Sequence, residues 1–526
     1  MEEKWVRWAL GTRRFGQAQQ GFSNRGAWMT KSEALQALTF GQRIAEEERE
    51  QLASYFVETD LWRRMLAGEV DIVYGAKGSG KSAIYALLLD RDTAFRERGI
   101  LIRAAENPRG TPVFKDLVAD APTNENEFRA LWKLYILALV VRALADERID
   151  GRVSRATILL EQAGLLPREA SLRGLVRAAL DYARSLLRAE SLEGGLRIDP
   201  ATGLASGFTG KITLREPSAS ELRAGLVSVD EVFGWCSDAI RDARLSIWIL
   251  LDRLDVAFGE SDDLERNALR ALFRVYLDLR RFDSISLKIF LRSDIWRRIT
   301  KEGFREASHI TRDAEIVWEP RSLLNLLVRR VLRNESVRTF YSIADEHRVL
   351  RDSELQHQLF YRIFPQQVDA GSRKAVTFDW LLSRTRDGSG KTAPRELIHM
   401  LTSAREEQIR DLEIGGDEPP GENLLSSESL RAALPTVSAV RVQQTLFAEY
   451  PALKPWIEAL AGEKTEQTVE TLARVWRVTE EEALSHATEL VDVGFFERRG
   501  ARDLPTFWVP FLYRDGADMV QGAAES

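Results

Sequence analysis

The run Gly75-Ala76-Lys77-Gly78-Ser79-Gly80-Lys81-Ser82 constrains this chain more tightly than any other stretch. It is the complete pattern G-x-x-x-x-G-K-[ST], a phosphate-binding loop. An apolar strand over 70–74 precedes it and a helix over 83–89 follows. Glycines at 75, 78 and 80 let the backbone curl so that successive N–H groups point inward at an anion. The helix that follows adds the positive end of its dipole. Lys81 reaches the β- and γ-phosphates of a nucleoside triphosphate, and the Ser82 hydroxyl ligates Mg²⁺. Ala76, Lys77 and Ser79 complete the loop. ATP and Mg²⁺ are the expected cofactors. Such a loop needs an acidic partner at the end of another buried strand. The apolar run 246–251 ends in Asp252, which is expected to hold the Mg²⁺.

The rest of the chain reads as the parallel α/β sheet that such a loop requires. Runs 246–251 and 286–291 are continuously apolar, as strands buried on both faces are. Shorter strands are expected at 100–104 and 315–318. Helical patterns over 46–67, 127–188, 229–243 and 263–281 alternate with them, which favours a parallel sheet. Gly, Asp and Pro signals over 194–214 predict a hairpin inserted between helices. The expected organisation is an N-terminal arm (1–45), a P-loop core (46–319) with an insertion at about 150–228, and a helical lid (320–410). A linker (411–429) with six acidic and no basic residues then leads to a C-terminal winged-helix-like domain (430–526). Its strands are expected at 493–497 and 506–510.

Composition excludes several classes. With 44% hydrophobic residues, the 526-residue chain can bury sizeable cores. One cysteine, Cys236, excludes an intramolecular disulfide and argues against a Cys-type zinc site. The five histidines show no ligand spacing. The longest apolar run, 134–141, stops at Arg142 and is far short of the ~20 residues of a membrane span. The first residues lack the apolar core of a secretory signal, so a cytoplasmic chain is expected. Net charge is −6. Residues 436–526 hold 9 basic and 15 acidic side chains, so the whole excess lies in the C-terminal domain.

Several stretches together resemble the AAA+/STAND-type branch of P-loop ATPases. They are 40–48 (FGQRIAEEE), 55–62 (YFVETDLW), 73–83, 249–255 (ILLDRLD), 288–296 (KIFLRSDIW), 393–398 (APRELI) and 509–516 (VPFLYRDG). More narrowly, the chain is similar to a bacterial family known simply as P-loop ATPases. The resemblance implies ATP binding, ATP hydrolysis and a conformational or assembly switch, with bacterial defence or signalling as the setting. In many AAA-type enzymes the residue after the Walker B Asp is a Glu that polarises water. Here it is Arg253, and Asp255 either takes that role or pairs with an arginine. Arg292, with Ser293 and Asp294 beside it, stands where the resemblance places sensor 1, and Arg395 where it places sensor 2. Arg297, Arg298 and Arg312 are candidates for completing a neighbouring subunit's site.

The expected function is therefore a nucleotide-dependent switch or oligomerising regulator of a partner protein. The alternative is a DNA-engaging motor or loader. It would use the stripe Arg266, Arg270 and Arg274 and the wing arginines Arg498, Arg499 and Arg502. The third helix of the winged-helix-like domain, over 479–491, carries Glu480, Glu481, Glu482 and Glu489. Carboxylates there would face phosphates in a major groove, which favours a protein-contact or autoinhibitory role.

Overall fold

The computed structural model describes residues 29–42, 52, 56–107, 112–115, 121–122, 124–149, 152–167, 171–191, 212–258, 261–301 and 303–525. Its strands are β1 (Ile72–Gly75), β2 (Ile100–Ala104), β3 (Ile212–Thr213), β4 (Val227–Ser228), β5 (Ser246–Leu251), β6 (Ile285–Arg292) and β7 (Asp313–Glu315). The C-terminal part adds β8 (Lys464–Thr468), β9 (Glu497–Gly500), β10 (Pro505–Trp508) and β11 (Val520–Ala523).

Five strands form the central sheet in the order β2-β5-β6-β1-β7, and every neighbouring pair is parallel. The β1 strand thus lies between β6 and β7, and its carboxyl end runs into the phosphate-binding loop. One face of the sheet packs against the Lys81–Asp90 helix through Ile84, Tyr85, Leu87 and Leu88, which meet Val73, Ile102, Trp248, Leu250 and Phe290. The other face carries the helices Glu125–Asp146, Val229–Asp242 and Asp262–Leu279. The first of these buries residues all round its circumference, so it is central and not amphipathic. Asn124 caps it by accepting from the Glu127 N–H at 3.0 Å. The helices Arg152–Gln162 and Leu172–Ser191 pack on the same side as the insertion.

A separate core joins the lid to the C-terminal part. It includes Leu324 and Leu327 from the Pro320–Leu332 helix, Leu397 and Leu401 from the Pro394–Glu413 helix, and Leu472, Leu490 and Phe507 from the C-terminal part. Pro320 and Pro394 each open their helix, where a missing N–H costs nothing. In the C-terminal part, the helices Val469–Trp476 and Glu480–Asp492 are followed by the β9–β10 hairpin, and β8 pairs with β10. The chain is an α/β protein with a P-loop NTPase core, a helical insertion, a helical lid and a C-terminal winged-helix-like unit. No helix among the described residues is long and apolar enough to cross a membrane.

Several boundaries differ from expectation. The fifth strand is 313–315, not 315–318: the Ile316 N–H still bonds Tyr74 O at 2.7 Å, but beyond it Trp318 turns to pack on the loop. The expected strand 493–497 begins only at Glu497, since Phe495 and Phe496 plug the core instead of extending the ladder. Only Asp60–Leu66 of the described part of 46–67 forms a full helix, capped by Thr59. The expected hairpin over 194–214 lies mostly outside the described residues, and β3 pairs in parallel with β4. The N-terminal arm is described only over 29–42, where the Lys31–Ala37 helix docks on the lid through Ala34 and Leu35. The acidic stretch 411–429 is not a loose tether. Leu424 and Leu425 are fully buried, and Asn423 donates to the carbonyls of Tyr361, Arg362 and Phe364.

Candidate nucleotide-binding site

The phosphate-binding loop is shaped by its glycines. Gly78 (φ +80°) and Gly80 (φ +102°) adopt left-handed backbone that other residues rarely take, and Gly80 is the N-cap of the Lys81–Asp90 helix. A Cβ on Gly75 would lie 2.4 Å from Ser79 Oγ, so any side chain there would push Ser79 out of place. The Trp318 indole N–H donates to Ser79 O at 2.8 Å and clamps the loop from the sheet edge. Lys81 Nζ donates to Gly75 O (2.8 Å) and Ala76 O (3.0 Å), folded across the mouth of the loop. Burial holds its ammonium below the usual lysine range, against the pull of Asp255 and Asp252.

Asp252 sits just past the carboxyl end of β5, almost wholly buried, where the Ser82 hydroxyl and the Arg253 N–H favour its charged form. Burial, with Asp255 nearby, pushes its carboxyl up to about 6. A hydroxyl and a carboxylate lining one cavity are hard oxygen donors of the kind Mg²⁺ takes. The two residues therefore fit the expected metal. Among the described residues no group of three His, Cys, Asp or Glu side chains is arranged to hold another ion.

One cavity of about 330 Å³ joins residues 77–82 of the loop to Asp252, Asp255, Arg292 and Arg395. Its apolar wall comes from Leu52, Phe56, Val57, Leu326 and Ile398, and suits a planar base. Arg395 reaches the loop from the lid. A Cβ on Gly78 would lie 2.6 Å from Arg395 Cβ, so Gly78 is also where the lid closes on the loop.

Arg292, at the end of β6, is held tightly. It makes a bidentate contact with Asp294 (Nη2 at 2.9 Å), lies 3.8 Å from Asp255, and bonds Glu449 and the Tyr450 hydroxyl. Asp255 thus stands beside an arginine and also lines the cavity. Ser293 turns away, donating to Glu315 at 3.1 Å. Glu449 also accepts from Lys77 of the loop. Glu449 and Tyr450 belong to the C-terminal part, just past a π-helical stretch at Val442–Phe447. Such wide turns often re-aim side chains at functional sites. The sequence offered no local signal for either residue, because they reach the site from more than 150 positions beyond Arg292.

The remaining arginines are engaged within the chain. Arg297 donates to Asp492 O, Arg298 pairs with Glu265, and Arg312 lies 3.7 Å from Asp71. In the stripe, Arg266 pairs with Asp263, and Arg274 with Glu125 and Glu306. That is the pattern of a salt-bridged helix face.

No known protein-family profile and no curated protein matches the sequence. Among solved structures, the chain aligns with the ORC2 protein of Aeropyrum pernix in its ADPNP–ADP complexes, with a TM-score of 0.38 and 12% identity, covering 91% of this chain and 92% of that one. The ADP form of that protein gives a TM-score of 0.29 and 13% identity, with 88% of each chain covered. Cdc6p of Pyrobaculum aerophilum gives a TM-score of 0.29 and 10% identity, covering 91% of this chain and 95% of that one. Likenesses this distant say nothing of what the present chain binds or does.

Proposed function

We propose that the chain is an ATP-binding and ATP-hydrolysing switch in which the γ-phosphate controls the C-terminal unit. The supporting observation is that Glu449 of that unit bonds both Lys77 and Arg292 inside the phosphate cavity. In this reading the loop N–H groups and Lys81 hold the phosphates, and Ser82 with Asp252 holds Mg²⁺. When bound, Mg²⁺ neutralises charge on the phosphate oxygens. Arg292 and Arg395 face the γ-phosphate from the sheet and the lid. Glu449 competes for the same cations. Two like charges 4 Å apart repel by about 4 kcal/mol at an effective dielectric of 20. That is enough to break the Glu449 contacts and free the C-terminal unit to engage a partner protein or a second copy.

The test measures ATP affinity, turnover and hydrodynamic size together. Lys81→Ala is expected to lose ATP binding and at least 100-fold in turnover. The wild type is expected to expand or assemble with a non-hydrolysable ATP analogue but not with ADP. Glu449→Gln should show that change without nucleotide. ATP binding unaffected by Lys81→Ala would sink the site assignment, and a size insensitive to nucleotide would sink the switch.

A DNA-engaging ATPase is the second reading. It is favoured by the β9–β10 hairpin, where Arg499 stacks on Trp508 at 3.8 Å and Arg498 and Arg502 are exposed. It predicts ATP turnover stimulated by DNA at low salt and suppressed steeply as salt rises. Turnover indifferent to DNA at 50 mM salt would exclude it.

A further inference from the structure

The proposed hydrolysis leaves one chemical role unfilled. Arg253 occupies the position after Asp252, and Asp255 is paired with Arg292. A buried carboxylate on the neighbouring strand is placed to fill the gap. The β2–β5 register runs Ile100↔Ser246 to Ala104↔Leu250, and the Ala105 N–H still bonds Leu250 O at 2.8 Å. Glu106 follows Ala104 by two residues as Asp252 follows Leu250, and the charge of Asp252 acts on Glu106. In a parallel pair, residues in register project to the same face. Ile102, Trp248 and Leu250 pack against the Lys81–Asp90 helix, and Glu106 and Asp252 lie just past the carboxyl ends of these two strands. The Tyr85 hydroxyl of the same helix donates to the Glu106 backbone O at 2.8 Å and ties this end of the strand to the helix.

The Glu106 side chain is 0% exposed. Its Oε1 accepts from the Asn107 N–H (2.8 Å) and the Val113 N–H (2.6 Å). Its Oε2 is enclosed and has no hydrogen-bond partner among the described residues. A carboxylate needed only to hold the Asn107 and Val113 N–H groups would use one oxygen, and a glutamine would serve. A second acidic oxygen without a donor among the described residues, near Asp252, is costly to keep unless something uses it.

We infer that Glu106 is the carboxylate that takes the proton from the attacking water. This rests on the ATP-hydrolysis reading above. The water oxygen forms a bond to the γ-phosphorus. The bond from that phosphorus to the β–γ bridging oxygen breaks, and its electron pair leaves with ADP. The water proton passes to Glu106 Oε2 and then to solvent with the released phosphate. Arg253 lines the cavity, and its positive charge acts on Glu106.

The test uses the full chain with Mg·ATP, measuring the ATP dissociation constant by calorimetry and hydrolysis by single-turnover phosphate release. Glu106→Gln keeps the Oε1 clamp. It is expected to bind ATP within threefold of wild type and to hydrolyse it at least 100-fold more slowly. Glu106→Ala is expected to regain turnover with added formate or azide, which a structural role would not allow. Glu106→Gln hydrolysis within threefold of wild type would overturn the inference. So would loss of ATP binding in Glu106→Gln, or failure of both variants to fold, since each marks a clamp. So would Asp255→Asn abolishing turnover while Glu106→Gln does not. Failure of the wild type to bind ATP at all would instead bring down the underlying reading.

Discussion

Burial sets the behaviour of the acidic side chains one by one. Burial pushes the Glu106 carboxyl up to about 7, well above an ordinary glutamate. Between roughly pH 4.5 and 7 the folded chain therefore keeps a proton that the unfolded chain releases. The stability owed to this group falls as pH rises through that window and stays low above it. Glu106→Gln removes the cost of ionisation. It is expected to raise stability at pH 8 by about 1–3 kcal/mol, with no gain near pH 4. Thermal melts at the two pH values check this, and a gain independent of pH would contradict it. A gain in stability with a loss of turnover is the usual trade at a working site. Gly78 makes a different point at the same scale. Gly78→Ala meets both the left-handed backbone and Arg395, whereas Gly80→Ala meets only the backbone, with open space around it. Gly78→Ala is expected to weaken ATP binding more than Gly80→Ala does, with each costing roughly 1–2 kcal/mol of stability. Calorimetric titration of both variants decides it.

Among elements, the link between two helices matters most. Glu396, in the first turn of the Pro394–Glu413 helix, bonds Arg441, in the last turn of the Ser427–Arg441 helix, at 2.9 Å. Both side chains are under a tenth exposed. Neither charge can be left alone there. Arg441→Met is expected to cost about 3–5 kcal/mol, and adding Glu396→Leu should recover most of it. A double-mutant cycle by urea denaturation measures this, and strict additivity would exclude a shared buried pair. The strands of the central sheet were legible in the sequence, because a run such as 246–251 is apolar at every position and has no other stable place than between two layers. Strand ends were less legible. Phe495 and Phe496 look like strand residues, yet their rings fill the C-terminal core while hydrogen bonding begins at Glu497.

At the level of the whole molecule, the lid and the C-terminal unit share one core, and the 414–426 segment is pinned across it. They are expected to unfold together. Leu401, fully buried in that core, is a direct probe. Leu401→Ala should cost about 2–5 kcal/mol and lower hydrogen-exchange protection in 394–413 and 469–513 alike. Protection lost in the lid alone would show two independent bodies. Acidic, Gly- and Pro-containing composition read as a linker, but composition does not report that Leu424 and Leu425 find a pocket. The phosphate-binding loop, Asp252 and the parallel sheet follow from local pattern, since a glycine's backbone freedom and a strand's apolar run are properties of adjacent residues. Glu449 and Glu106 do not. What makes each of them a candidate is its surroundings: two cations gathered from distant parts of the chain for Glu449, and the register of β2 on β5 for Glu106. A carboxylate's neighbours set its charge and its access to water, and only the folded chain brings those neighbours together.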